Sequence, residues 1–150
     1  MQPARFGIEF LVRPVTHGHD HPSRTRAYVG EMAGTRTTEI QAHSSCRRDR
    51  TVDRTFDDHK AYYPGATSLR IRLTGDQRDG RLLGAQLLGR YGAEVSKRAD
   101  IYATALYHHV TVDELTDLDL TYTPPLSSPW DPAQMAALAW ELERRSAGSS

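Results

Sequence analysis

Up to about residue 50, large apolar side chains are sparse and follow no sustained period; from Thr51 onward they recur at regular steps. Leu69, Ile71 and Leu73 alternate with Arg70, Arg72 and Thr74, the period-two pattern of a strand with one buried and one wet face. Val52 and Phe56 place a possible strand before it. The polar run Gly75 to Gly80 reads as a turn, and Arg81 to Gly89 follows with Leu82, Leu83, Ala85, Leu87 and Leu88 apolar on both faces. That predicts an antiparallel hairpin whose second strand lies in the sheet interior. Val95, Ala99, Tyr102, Leu106 and Val110 recur at steps of four, three, four and four, predicting a helix that begins near Ala93. Thr111-Val112-Asp113-Glu114 is a capping-box pattern that starts a second short helix or turn. Leu118, Leu120 and Tyr122 alternate with Asp119, Thr121 and Thr123 and predict another one-sided strand, ended by Pro124-Pro125. Asp131, with Pro132 at the first helical position and Gln134 completing the cap, opens a last helix with Met135, Leu138, Ala139 and Leu142 as its apolar face. Such an order predicts an α+β domain over residues 51–146, a small antiparallel sheet with helices on one face, and a frayed tail at 147–150.

The first fifty residues read differently. Phe6 to Val12 suits a short strand. Thr16 to Arg26 and Thr35 to Arg50 are rich in Arg, His, Ser and Thr, and hold too little apolar area to offset the entropy of ordering them. Residues 1–50 are therefore expected to be loosely held or disordered. Within them His17-Gly18-His19-Asp20-His21 offers imidazoles and a carboxylate of the kind that hold Zn or Ni. The segment supplies no scaffold to orient such ligands, so a solvated polar tail is expected and no metal site.

Charge and cysteine content narrow the classes. The 150 residues carry 19 basic and 19 acidic side chains, so no basic field argues for nucleic acid. No apolar run approaches the roughly 18–20 residues of a membrane span, and Met1 to Phe10 does not read as a secretory signal. Cys46 is the single cysteine, which excludes an intramolecular disulfide and fits a reduced, cytoplasmic setting. Arg47 and Arg48 would lower its pKa, but it reads as an ordinary exposed thiol.

Four stretches together resemble one family. Asp58-His59-Lys60-Ala61-Tyr62-Tyr63-Pro64-Gly65-Ala66, Leu82-Leu83-Gly84-Ala85-Gln86, Ser96-Lys97-Arg98-Ala99-Asp100 and Leu118 to Ser128 with Asp131-Pro132 occur in order over about ninety residues. They resemble the C-terminal dimerisation domain of the FAD-dependent pyridine nucleotide-disulfide oxidoreductases, in the branch of the NADH oxidases and coenzyme A-disulfide reductases. The resemblance covers about Asp58 to Leu142 and implies a domain that pairs two subunits. It also implies that FAD and NAD(P)H are bound by preceding domains of the full-length family, and that this chain alone binds neither. No Gly-x-Gly-x-x-Gly follows a strand here, and Gly84, Gly89 and Gly92 are spaced differently. Residues 1–50 do not resemble the family, so its domain is expected to be truncated at the N-terminal side.

What the resemblance implies about chemistry falls on four residues. Tyrosines in the motifs of Tyr63 and Tyr122 reach the partner subunit's active site in coenzyme A-disulfide reductases and hydrogen-bond to the substrate sulfur, a task a phenol suits because it can donate to a developing thiolate. The alternative for Tyr122 is that it fills the inward row of its strand. His109, Thr111 and Glu114 keep the spacing of the His-Pro-Thr-x-x-Glu acid/base motif of glutathione reductase and lipoamide dehydrogenase, with Val110 in place of the proline. The alternative there is a helix C-terminus followed by a capping box. Two functions follow as expectations: a homodimerising domain of a flavin/NAD(P)H disulfide oxidoreductase without redox activity of its own, or a subunit that completes the active site of a separately encoded flavoprotein. Neither involves nucleic acid or a membrane.

Overall fold

The computed structural model describes residues 7–15, 24–31, 49–90 and 93–148, the first two of these as backbone only. Among them run β1 (Gly7–Val15), β2 (Arg24–Glu31), β3 (Asp49–Asp57), β4 (Ser68–Asp76), β5 (Leu82–Arg90), α1 (Val95–Tyr107), α2 (Val112–Thr116) and α3 (Pro132–Gly148). The strands form one antiparallel sheet in the order β2-β1-β5-β4-β3. The α+β reading stands. β5 is central, as its two-sided apolar pattern requires. β4 and β5 are the expected hairpin, with a register shift between Thr74 and Gly75.

The alternation of β4 sorts its side chains as the sequence predicts. Leu69, Ile71 and Leu73 are buried with Val52, Ala85 and Leu87 beneath the helices. α1 packs on β1 and β5, and α3 packs on β3 and β4, so the helices share one face of the sheet. The opposite face of β3–β5 is polar. Thr51 and Thr74 hydrogen-bond at 2.8 Å, Asp53 takes Arg70 at 2.7 Å and Arg72 at 2.9 Å, and Arg72 reaches Gln86 at 3.4 Å. The guanidinium of Arg70, then that of Arg72, holds the Asp53 carboxyl below its ordinary pKa against the opposing effect of partial burial.

The sheet reaches five strands because β1, overlapping the expected Phe6 to Val12 strand, pairs with β5, and β2 pairs with β1, while three expectations are corrected. β2 carries few large apolar residues, and its place is fixed by main-chain pairing that a hydrophobic pattern does not reveal. The predicted strand at Leu118 to Tyr122 is absent: residues 118–123 have no ladder partner, and the Leu118 carbonyl instead accepts from Gln134 Nε2 at 2.6 Å. Three alternating apolar residues become a strand only by pairing with a sheet edge, and these pair with neither β2 nor β3. α1 stops at Tyr107, short of Val110. α3 runs through Ala147 to Gly148 and turns a different face inward: Ala133, Ala136, Ala137 and Trp140 are buried, while Leu138 and Leu142 are exposed.

The close approach of α3 explains that rotation. Trp140 is fully buried and donates from Nε1 to the Arg50 carbonyl at 2.8 Å, stapling the helix to β3. A Cβ on Gly75 would lie 2.7 Å from the Trp140 ring and 2.9 Å from Val112 Cγ2. Alanines on the inner face and glycine on the strand let the large indole fill the gap. Gly75→Ala is expected to cost about 1–3 kcal/mol through overpacking. A urea midpoint lowered at unchanged m-value checks this; an unchanged midpoint would show that the indole has room to yield.

Candidate functional site

The chain leaves β3 into a loop, residues 58–67, that is clamped at its base by Asp58. This buried residue donates its N–H to the Thr67 carbonyl at 2.9 Å, and its Oδ1 accepts from Thr67 N at 2.7 Å and His59 N at 3.1 Å. His59 Nδ1 lies 3.2 Å from the same oxygen. At the tip, Tyr63 N donates to the Lys60 carbonyl at 2.9 Å in a tight turn. Their rings lie 4.9 Å apart and tilted. Tyr63 is half-buried and Tyr62 is 74% exposed.

Tyr122 lies on a second loop, between α2 and α3. Ser127, buried, accepts from Thr123 N and donates to the Thr121 carbonyl, both at 3.1 Å, while Leu126 N and Ser127 N return to the Thr123 carbonyl at 2.8 Å. These bonds fold the loop on itself and turn Tyr122 outward, 48% exposed, which removes the inward-row alternative. The two loops adjoin at their rims, where the Lys60 ammonium sits 5.5 Å from the centre of the Trp130 ring.

They are joined at their roots by Arg98. This side chain lies on the inner face of α1 with no solvent exposure. Its Nε donates to Asp131 Oδ1 at 3.1 Å and Nη2 lies 3.0 Å from Asp131 Oδ2. Nη1 donates to the Ala93 carbonyl at 3.0 Å and Nη2 to the Asp58 carbonyl at 2.5 Å. Asp131 also caps α3, accepting from Ala133 N at 2.9 Å. In the sequence Arg98 stands within the Ser96 to Asp100 motif with no role of its own. The usable signal was its position: three residues after Val95 and four before Tyr102, a cation stands in an apolar stripe, and a buried cation needs an anion.

His109 and Glu114 are placed apart from this cluster of loops, around the α1–α2 junction. His109 adopts φ 58°, its N–H donates to the Leu106 carbonyl at 3.3 Å, and Val110 N donates to the Ala105 carbonyl at 2.9 Å. This pair of bonds is a Schellman motif with His109 as its left-handed residue. Glu114 accepts from Thr111 N and Thr111 Oγ1, both at 2.8 Å, while Thr111 Oγ1 accepts from Glu114 N at 3.4 Å, which completes the predicted capping box. The hydrogen bonds from Thr111, backbone first, hold the Glu114 carboxyl below its ordinary pKa. Tyr102 is a core residue: its phenol donates to the Ala133 carbonyl at 3.0 Å, and burial pushes its pKa far above the usual range.

Two of the glycines considered for dinucleotide binding have places in the sheet. Gly84 and Gly89 lie inside β5, and a Cβ on Gly89 would meet Val95 Cγ2 at 2.8 Å, so Gly89 serves the packing of α1 on the sheet. The His17–His21 run, Cys46 and Gly92 lie outside the described residues. Among the described residues, no helix is long and apolar enough to cross a membrane.

No protein-family model matches the chain. Coenzyme A disulfide reductases of Staphylococcus haemolyticus and Staphylococcus aureus are 39% identical to it over 77 and 80 residues, 51% and 53% of the chain. Among solved structures, the reduced CoADR-RHD of Bacillus anthracis is 40% identical with a TM-score of 0.62 over 65% of the chain. An NAD-dependent persulfide reductase of A. fulgidus is 35% identical with a TM-score of 0.63 over 67% of it. Over about half to two thirds of its length the chain is thus similar to pyridine nucleotide-disulfide oxidoreductases. It spans less than a fifth of these relatives' own length, 17% and 18% of the two reductases and 17% and 18% of the two solved chains. A water-forming NADH oxidase from Lactobacillus brevis, 20% identical, shares the fold with a TM-score of 0.63 over 66% of the chain. Three of the four stretches on which the oxidoreductase resemblance rests, at residues 58–66, 96–100 and 118–132, meet at Arg98.

Three substitutions separate backbone from side-chain roles at the α1–α2 junction. Thr111→Ala is expected to lower stability by about 1 kcal/mol through loss of the cap. Because the folded-state pKa of Glu114 is depressed, its contribution is present above the ordinary carboxylate pKa and is lost as pH falls through the lowered value. Glu114→Ala should therefore flatten part of the acid limb of a stability–pH curve; an unchanged limb would contradict the capping role. His109→Gly is expected to stabilise by up to about 1 kcal/mol by relieving a left-handed backbone. Thermal unfolding reads it, and a loss of stability would mean that the imidazole makes a contact worth more than the strain.

Proposed function

We propose that this domain pairs subunits of a flavin- and NAD(P)H-dependent disulfide oxidoreductase and presents Tyr63 and Tyr122 to the active site of the subunit it joins. The observation that carries this reading is the outward display of aromatic side chains on two adjoining loops. Tyr62 and Tyr122 stand out, Trp130 is 67% exposed and Leu126 is 51% exposed. Large aromatics left outside a core, on loops whose roots are rigid, are typical of surfaces that bury against a partner.

The chemistry is divided between parts. In this reading FAD and NAD(P)H sit in other domains, and the flavin carries electrons from the nicotinamide to the disulfide. The residues here hold neither group. A Tyr63 or Tyr122 hydroxyl can donate a hydrogen bond to the sulfur that becomes a thiolate, a charge-assisted bond that strengthens as the S–S bond breaks. His109, held by its backbone at the end of α1, is not assigned an acid/base role.

The preferred partner is a second copy. The uncovered sheet face of β3–β5 is finished by the Asp53, Arg70 and Arg72 ladder, so pairing draws on the aromatic loops and on the outer face of α3, where Leu138 and Leu142 are exposed four residues apart. A separately encoded flavoprotein is the second reading, favoured by the same exposed tyrosines, since a trans-acting subunit needs them accessible. The single cysteine suits a reduced cytoplasmic setting for either.

Sedimentation velocity on the purified chain is expected to give a dimer, and Leu138→Glu with Leu142→Glu is expected to shift it to monomer. A wild-type monomer at high concentration would refute self-pairing and leave the flavoprotein partner. The absorption spectrum of the same sample is expected to be free of flavin bands; a yellow protein would overturn the division of chemistry.

A further inference from the structure

We propose that Arg98 is a positioning residue that locks the two tyrosine-bearing loops into one unit, so that Tyr63 and Tyr122 are presented together. This rests on the reading of those tyrosines as partners of a neighbouring active site.

The guanidinium reaches both loops at once. It donates to the Asp58 carbonyl, where the Tyr63 loop begins, and to the Asp131 carboxylate, where the Tyr122 loop ends. Its remaining nitrogen holds the Ala93 carbonyl, just ahead of the helix that carries it. Each loop is held within itself, the first at its root through Asp58 with Thr67 and the second around Tyr122 through Ser127 with Thr121 and Thr123. Fixing two internally braced loops relative to each other therefore fixes their tyrosines. Lys97 Nζ, one residue earlier on α1, lies 3.5 Å from the Leu126 carbonyl and braces the second loop from the same helix. Lys60 over Trp130 closes the assembly at the rim.

Stability alone is a poor reason to keep such a pair. Replacing a buried ion pair by apolar residues of similar volume is often neutral or stabilising, whereas the fork of five N–H donors fixes direction in a way that hydrophobic contacts do not. Lysine in the same place offers one nitrogen and cannot span three acceptors on three segments.

The full chain is labelled with 3-fluorotyrosine, and the fluorine resonances of Tyr63 and Tyr122 are assigned from Tyr63→Phe and Tyr122→Phe. Three variants are compared. Asp131→Asn keeps an N-cap for α3 and removes the charge. Arg98→Lys keeps the charge and removes the fork. Arg98→Met with Asp131→Leu removes the pair without leaving a buried orphan charge. In each folded variant, judged by wild-type far-ultraviolet circular dichroism, both resonances are expected to shift by at least a linewidth. The Tyr63 shift in Asp131→Asn decides most: among the described residues Asp131 hydrogen-bonds to Arg98, Ala133, Gln134 and Met135, and to nothing in the loop at 58–67. Should the Arg98 variants unfold, Asp131→Asn carries the test. An unmoved Tyr63 signal in that variant, or movement of Tyr122 alone, overturns the proposal. Sedimentation of the same samples keeps the two ideas apart. A monomeric wild type with coupled tyrosines counts against self-pairing only, and a dimer with uncoupled tyrosines counts against the role of Arg98 only.

Discussion

A guanidinium buried without solvent exposure must be paired and hydrogen-bonded, because removing a charge from water costs several kcal/mol even after relaxation. In this domain the requirement falls on Arg98, and it is met by three segments far apart in sequence. The carboxylate comes from the residue that caps α3, one carbonyl from the start of the Tyr63 loop, and another from the approach to α1. Any arrangement that moved one of these segments would leave a buried donor open. α3 could not start elsewhere, and the loop at 58–67 could not swing, without exposing or orphaning that charge.

The sheet divides the surfaces of the domain. One face is a conventional core sealed by α1 and by a Trp140 that fits only because Gly75 yields its place. The other face of β3–β5 is closed by cross-strand ion pairs, which suits contact with water. Among the residues whose side chains are described, exposed large apolar side chains are concentrated on the loops and the outer side of α3. That distribution is what makes subunit pairing through loops and helix a better reading than pairing through the open sheet.

On the proposed reading, the relatives give a reason for two loops held so firmly. They are reductases, and this chain matches less than a fifth of their length. A site assembled from two subunits needs its contributions delivered at fixed spacing, and residues delivered on mobile loops would lose most of the benefit of proximity. Function on such a fold belongs to the grafted residues, not to the sheet and helices that carry them.

The sequence alone determined the elements whose signals are local. The alternation of Leu69, Ile71 and Leu73, the two-sided apolar run of β5, the stripe of α1, the capping box at Thr111 and Glu114, and the cap at Asp131 each depend on neighbours a few residues away, and each is found. Four short motifs sufficed to name the family. Tertiary structure decided whatever depends on distant partners. Leu118 to Tyr122 has a strand pattern but pairs with neither edge of the sheet. α3 has two apolar faces, and the one holding Trp140 wins because the indole finds a glycine and a carbonyl on the sheet. The strands at Gly7–Val15 and Arg24–Glu31 exist through main-chain pairing more than through hydrophobic periodicity. Above all, Arg98 is one charge among many in the sequence; only folding brings Asp58 and Asp131 to it, because the need for partners arises from burial.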